Sequence, residues 1–293
     1  MLSAQVSRVL PATLVLLLLA ALATTASAWS NGGFEGSGPA SPAYGTHDWI
    51  AQHALDYLPG DEAGFIRANL NMYLYATELP DRCTGSETIC DQVNHHVYYR
   101  ADGSLQDDAD ARRAQDYYQE VAVALVLRDF TRAARAAGIM SHYISDVAVF
   151  GHVMGAPTDW GVEVHHSDFE NYVNARTNSY VDDFNGFLAF DGRLDSRSAY
   201  NATLTLAYDT TFDNSGRERT AAWMDKNYNW DNSHFMDRAG QSISLAVNLL
   251  ADVLHTLSLQ SPSGTAPQPA STSLLPYIVL VAGLVLITAV LVY

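Results

Sequence analysis

SHYISDVAVFGH, residues 141–152, sets a histidine and an aspartate four positions apart and adds a second histidine six positions further on. On a helix, residues i and i+4 sit one above the other on one face, so His142 and Asp146 would point the same way. A helix that offers two donor side chains from adjacent turns supplies half of a tetrahedral zinc shell without ordering a loop. The device recurs in HSDFE, where His166 and Glu170 have the same spacing. A single His–carboxylate pair is ordinarily a surface ion pair; two pairs with more histidine nearby read as a metal centre. Upstream, THDWI supplies His47, ELPD supplies Asp81, and NHHVYY supplies His95 and His96. His53, His234 and His255 fall within amphipathic helical patterns and are read as ordinary helix-face residues.

The same helical period runs through most of the chain, which makes the expected fold all-α, a single multi-helical domain with a metal cleft. HDWIAQHALDYL groups Trp49, Ile50, Ala54 and Leu58, and Pro59-Gly60 ends it. A long pattern from Asp108 to Ala137 has acidic residues early and arginines late, in keeping with the helix dipole, and Gly138 is read as its break. Helical spacing resumes through the opening motif, returns in HSDFENYVNARTNSYV, and closes with SHFMDRAGQSISLAVNLLADVLHTL. Between Asp183 and Asn232, Gly, Asn and Asp alternate with short runs such as ATLTLAY. That region is expected to be irregular, with short helices and one hairpin. No pattern of a parallel sheet is visible.

Both ends carry apolar segments. Residues 1–28 read as an export signal: Arg8, an apolar run too short to span a bilayer, then the small-residue exit Ala26-Ser27-Ala28. Residues 274–293 are uncharged and long enough to span, and the Ser/Pro/Thr-rich stretch 260–273 reads as a linker. The expected plan is a domain over 29–259 exported to the cell surface on a C-terminal transmembrane anchor. The formal net charge is -16, with fifteen arginines and the single lysine Lys226 among the basic residues. Such a surface disfavours electrostatic capture of nucleic acid, which then enters only as a possible substrate, and suits a high-salt setting where screening is strong. Cys83 and Cys90 are the only cysteines. Their short separation in an exported segment favours a loop-closing disulfide over a pair of metal ligands, which would lack further thiolates.

The ordered motifs resemble those of the zinc-dependent phospholipase C family, whose relatives include clostridial alpha-toxins and, more distantly, S1/P1 nucleases. SHYISDVAVFGH is similar to the family's H-Y-x-x-D-V-x-x-x-x-H core, and HSDFENYV to its H-S-x-[YF]-E-N segment. HDWI, the Pro-Asp of ELPDRC and HHVYY resemble three further motifs, with His96 aligning better than His95. The resemblance implies three zinc ions in a helical cleft. One would be held by Asp81, His96, His142 and Asp146, and a second by His152, His166 and Glu170. The third would take the amine and carbonyl of Trp29, together with His47 and the other oxygen of Asp146. It also implies that Asp81 is the catalytic aspartate, and that signal cleavage before Trp29 creates a ligand: a free α-amino group has a pKa of roughly 7.7–8.0 and can lose its proton. Asn171 and Asp168 are candidates to orient the imidazoles.

The implied activity is hydrolysis of a phosphoric ester. The long stretch between Trp29 and His47 looks more like the phospholipase branch, making phospholipid headgroup phosphodiesters the expected substrate. Gly32, Arg82 and Val93 stand where the choline-preferring phospholipase has an acidic residue, Tyr and Phe, so a cage for a quaternary ammonium is not expected. Arg82 could meet an anionic headgroup. Two other readings remain: an extracellular single-strand nuclease or nucleotidase that salvages phosphate, and a zinc-stabilised surface protein without activity. Structural zinc sites are closed by four protein ligands, whereas His152, His166 and Glu170 number only three, which favours the enzyme.

Overall fold

The computed structural model describes residue 29 and residues 44–84, 87–177 and 183–260. The chain divides after residue 260, and the described residues all belong to its first compact unit. The export signal, nearly all of the linker and the C-terminal anchor lie outside the described residues.

Helix α5 (Phe130–Asp146) organises the first unit. Its positions from Ala133 to Asp146 are almost all buried, and it meets α1 (Thr46–Asp56), α2 (Gly64–Arg67), α3 (Leu70–Ala76), α4 (Ala109–Val126), α7 (Ala199–Phe212) and α9 (Ser233–Gln260). Small residues permit that many neighbours. Ala133, Ala134, Ala136 and Ala137 are buried on it, and at Gly138 a Cβ would stand 2.1 Å from the Tyr73 carbonyl oxygen of α3. Gly138 therefore does not break the helix as expected; it sits mid-helix because another backbone passes there. The break comes earlier. Arg128 takes the left-handed conformation at φ 57°, and its N–H and that of Asp129 donate to the Leu125 and Ala124 carbonyls, a Schellman-type ending. The side chain of Asp129 then caps α5 by accepting from the Arg132 N–H. The long pattern is thus a hairpin of two helices.

The region 183–232 also differs from expectation. ATLTLAY lies inside α7, capped by Ser198, and the Thr203 and Thr211 hydroxyls donate to carbonyls one turn back. Instead of an irregular stretch, Ala202, Leu206 and Ala207 form a buried helical face, and burial outweighs the low helix propensity of the threonines. A short helix, α8 (Ala221–Lys226), follows. Among the described residues the paired strands lie elsewhere: β1 (Tyr98–Tyr99) runs antiparallel to β2 (Leu105–Asp107). Helix α9 is the one described helix long and apolar enough to cross a membrane, yet it is mostly buried against the domain and reads as a core helix. The Cys83–Cys90 disulfide is formed.

Candidate metal centre

The donors come from several elements between residues 47 and 170. The last turn of α5 carries His142 and Asp146, both fully buried. Helix α1 begins with the Gly45 N–H donating to Asp48 Oδ2, and its first turn presents His47 to α5. Helix α6 (His166–Asn174) supplies His166 and Glu170 one turn apart, and the 3-10 turn at Phe150–His152 supplies His152. Gly151 lets these two elements meet, since a Cβ there would stand 2.4 Å from the His166 ring. Asp81 enters from the loop after α3.

The choice between the two adjacent histidines goes the other way from the sequence reading. They lie in an extended segment, where neighbouring side chains point to opposite sides. His95 turns toward α5, while His96 turns outward, stacked on Tyr98 with its Nε2 3.4 Å from Asp107 Oδ2. His95, not His96, joins Asp81 and His142.

Three donor groups result: His47, His142 and Asp146; Asp81, His95 and His142; and His152, His166 and Glu170. Asp146 faces two ways. Its Oδ1 lies 3.3 Å from His47 Nε2, and its Oδ2 lies 2.6 Å from His95 Nδ1 and 3.2 Å from His142 Nε2. Asp81 Oδ1 is 3.6 Å from His142 Nε2 and 3.8 Å from His95 Nδ1. In the third group Glu170 Oε1 lies 3.2 Å from His152 Nε2 and 2.9 Å from His166 Nε2. Trp29 is buried with its ring edge-on to His47, 5.5 Å between centroids.

The imidazoles are oriented from behind. His142 Nδ1 donates to the Thr77 carbonyl at 2.6 Å and His152 Nδ1 to the His95 carbonyl at 2.5 Å. Ser145 gives its hydroxyl proton to the His142 carbonyl and accepts from His47 Nδ1. In each ring the Nε2 lone pair is left facing the centre. His95 is inverted: its Nε2 donates to the Asp91 carbonyl, so Nδ1 faces inward. Ring orientation by a hydrogen bond to the distal nitrogen is what metal-binding histidines require. His47 Nε2, Asp81 Oδ2, Asp146 Oδ1 and Glu170 Oε2 are buried without hydrogen-bond partners among the described residues. Buried polar atoms are nearly always satisfied, and each of these four belongs to a residue of one of the three donor groups, so the residues fit zinc.

Electrostatics agree. Burial and the nearby His142 hold the His47 imidazole well below the ordinary range. Burial opposes charge on His95 and His166 too, but Asp146 lifts the former to about 9 and Glu170, helped by Glu163, lifts the latter to about 10. Burial raises Asp81 to about 6 against the pull of His142. The centre draws positive charge inward, and protons compete with a metal for the same lone pairs.

The sequence pattern of the zinc dependent phospholipase C family matches residues 46–243, a span that holds the donors of all three groups. The chain belongs to that family. Two solved structures are similar in outline. The alpha toxin of Clostridium absonum shares 16% identity at a TM-score of 0.48, over 75% of this chain and 66% of that one. The alpha-toxin of Clostridium perfringens avian strain SWCP shares 14% at 0.47, over 73% and 64%. The chain thus covers just under two thirds of either toxin. No curated protein matches it.

In this zinc dependent phospholipase C family member, several residues around the centre escaped the sequence reading. Glu163, 3.7 Å from His166 Nδ1, lies three residues before it, a spacing that could have been noticed. Thr77 and Ser145 act through contacts spanning 65 and 98 residues, with no local signature, and Asp91 through a backbone carbonyl four residues before His95. Asp110 is fully buried with neither oxygen partnered among the described residues, and burial, with Asp146, Asp91 and Asp81 near, pushes its carboxyl well above the usual range. Asp168 instead pairs with His165, and Asn171 is exposed. Arg82 donates to Tyr75 and the Thr84 carbonyl. His53 and His255 lie outside the centre, paired with Asp56 and Glu62.

Proposed function

We propose that this protein is an exported, membrane-anchored phosphoesterase holding three zinc ions and hydrolysing phospholipid headgroup phosphodiesters. The observation that carries the reading is Asp146, whose two oxygens address different donor groups. One ion would rest on Asp81, His95, His142 and Asp146, a second on His152, His166 and Glu170, and the third on Trp29, His47 and Asp146. Zinc held there supplies Lewis acidity that lowers the pKa of water and neutralises phosphoryl charge. The chain's own residues do the rest. The backbone carbonyls of Thr77, His95 and Asp91 keep the imidazoles turned inward. Asp81, whose Oδ2 has no hydrogen-bond partner among the described residues, would orient the attacking water or take its proton.

Apolar residues beside the centre support a lipid substrate. Val93 is 72% exposed two positions from His95, and Val164 is 76% exposed two positions from His166. Exposed valines suit acyl chains better than a polyanion, and the net charge of -16 repels the latter. The test is the purified mature domain, its zinc content measured, incubated in parallel with mixed phospholipid vesicles and single-stranded DNA. Release of phosphorylated headgroups is expected. Nucleotide release would replace the reading with a nuclease, and zinc without hydrolysis of either would leave a structural metal protein.

A further inference from the structure

Asp91 lies outside all three donor groups, yet its bonds reach toward every member of one of them. Its backbone carbonyl accepts the His95 Nε2 proton. Its backbone N–H donates to the Pro80 carbonyl at 2.8 Å, next to Asp81. Its Oδ2 accepts from the hydroxyl of Tyr143 at 3.0 Å, next to His142. Oδ2 also accepts from Arg113 Nε at 3.0 Å, and that guanidinium lies over the rings of Tyr117 and Tyr143, 5.4 Å from each centroid. Oδ1 accepts from Asn94 Nδ2 at 2.8 Å and from the Asn94 N–H at 3.2 Å, which folds 91–94 into a turn beneath His95.

We propose that Asp91, braced by Arg113 and Tyr143, is a positioning residue that selects which nitrogen of His95 faces the metal centre and holds Asp81, His95 and His142 in register. His95 needs such a device because it differs from its neighbours. His47, His142 and His152 are held through Nδ1 and present Nε2; His95 alone among these is held through Nε2 and presents Nδ1. A flipped ring would move the inward nitrogen away from Asp146. The carboxylate side chain keeps the turn closed, and the closed turn keeps the carbonyl under the ring.

The inference rests on the zinc reading above, and its test is separable from it. The full chain would be prepared as Asp91→Ala, Asp91→Asn and Arg113→Gln, with thermal unfolding of the metal-free forms reporting whether each folds. Zinc per molecule is read during titration with a competing chelator. Partners of this kind typically change metal affinity by about 10–100-fold. Asp91→Ala is expected to release one ion per molecule at roughly 10–100-fold lower chelator while the other two stay. Asp91→Asn keeps an acceptor toward Asn94 but not toward Arg113, and should fall between wild type and alanine. Arg113→Gln should shift the same ion by less. A folded Asp91→Ala that keeps wild-type affinity for every ion, or loses all equally, would overturn the proposal. A fully metallated wild type inactive on phospholipid would overturn the functional reading alone.

Discussion

Zinc loading should expel protons, and the structure says about how many. In the metal-free protein His95 titrates near 9 and His166 near 10, each charged by the carboxylate that would share its metal. At pH 7 these lie two and three units above the solution, so both rings are more than about 99% protonated. A metal ligand must present a lone pair. Saturating the centre at pH 7 should therefore release about two protons from these rings, plus those from His142, which is also raised, and from the Trp29 amine, mostly protonated at pH 7 with an ordinary pKa of roughly 7.7–8.0. For each of the two groups concerned, apparent affinity should fall about tenfold per pH unit below its histidine's pKa, or roughly a hundredfold between pH 8 and 6. The dependence should flatten above about 9 for one group and 10 for the other. The sign for folding is opposite. A histidine raised in the folded state stabilises the metal-free protein fully below its unfolded pKa of about 6.5, and that contribution is lost as pH rises through the folded value. Isothermal titration of metal-free protein with zinc at pH 7, in two buffers of different ionisation enthalpy, counts the protons. Release of fewer than one per molecule, or affinity independent of pH between 6 and 8, would refute the charge balance argued for the centre.

Four other outcomes follow from named contacts. Asp146→Asn should reduce zinc by about two ions and activity by more than the roughly 100-fold upper end typical of outer partners, because two donor groups share that carboxylate; metal analysis beside a turnover assay decides. A chain that keeps residues before Trp29 should lack one of three ions, since an amide nitrogen is a poor ligand, and N-terminal sequencing with metal analysis checks this. Asp110→Asn should stabilise the metal-free protein at pH 7, because burial makes the charged form of the Asp110 carboxyl costly and raises it well above the usual range. Because the folded carboxyl is raised, that gain should vanish below about pH 4, as thermal unfolding at both pH values would show. Gly138→Ala should cost more than about 3 kcal/mol, above the usual overpacking range, because the added methyl meets the Tyr73 backbone; a denaturant midpoint close to wild type would contradict it.

The sequence carried the local part of this architecture. His142 with Asp146 and His166 with Glu170 were visible because helical spacing places them together whatever surrounds them. The course of α9 was legible for the same reason. Contacts set by tertiary packing were not. His95 and His96 are equivalent until the direction of the segment relative to α5 is known, and Gly138 looks like a helix breaker until the α3 backbone is seen beside it. ATLTLAY falls in a stretch whose Gly, Asn and Asp residues suggest irregular structure, but the hydrogen bonding of its threonines to preceding carbonyls and its buried alanine face make it helix. Ser145 and Thr77 support imidazoles contributed from segments 98 and 65 residues away along the chain, which no motif spacing encodes, and Asp91 supports its neighbour His95 through a backbone carbonyl that carries no side-chain signal.

The Cys83–Cys90 bond also bears on metal loading. It closes the loop between Asp81 and Asp91, with Ile89 and Asp91 hydrogen-bonded back to Leu79 and Pro80. Until the thiols are oxidised, these two aspartates sit at the ends of an open tether, and closing it for the metal carries an entropic cost that the covalent link removes beforehand. Oxidation thus favours loading of this group. A reduced chain would therefore hold zinc more weakly at the group of Asp81, His95 and His142 than an oxidised one.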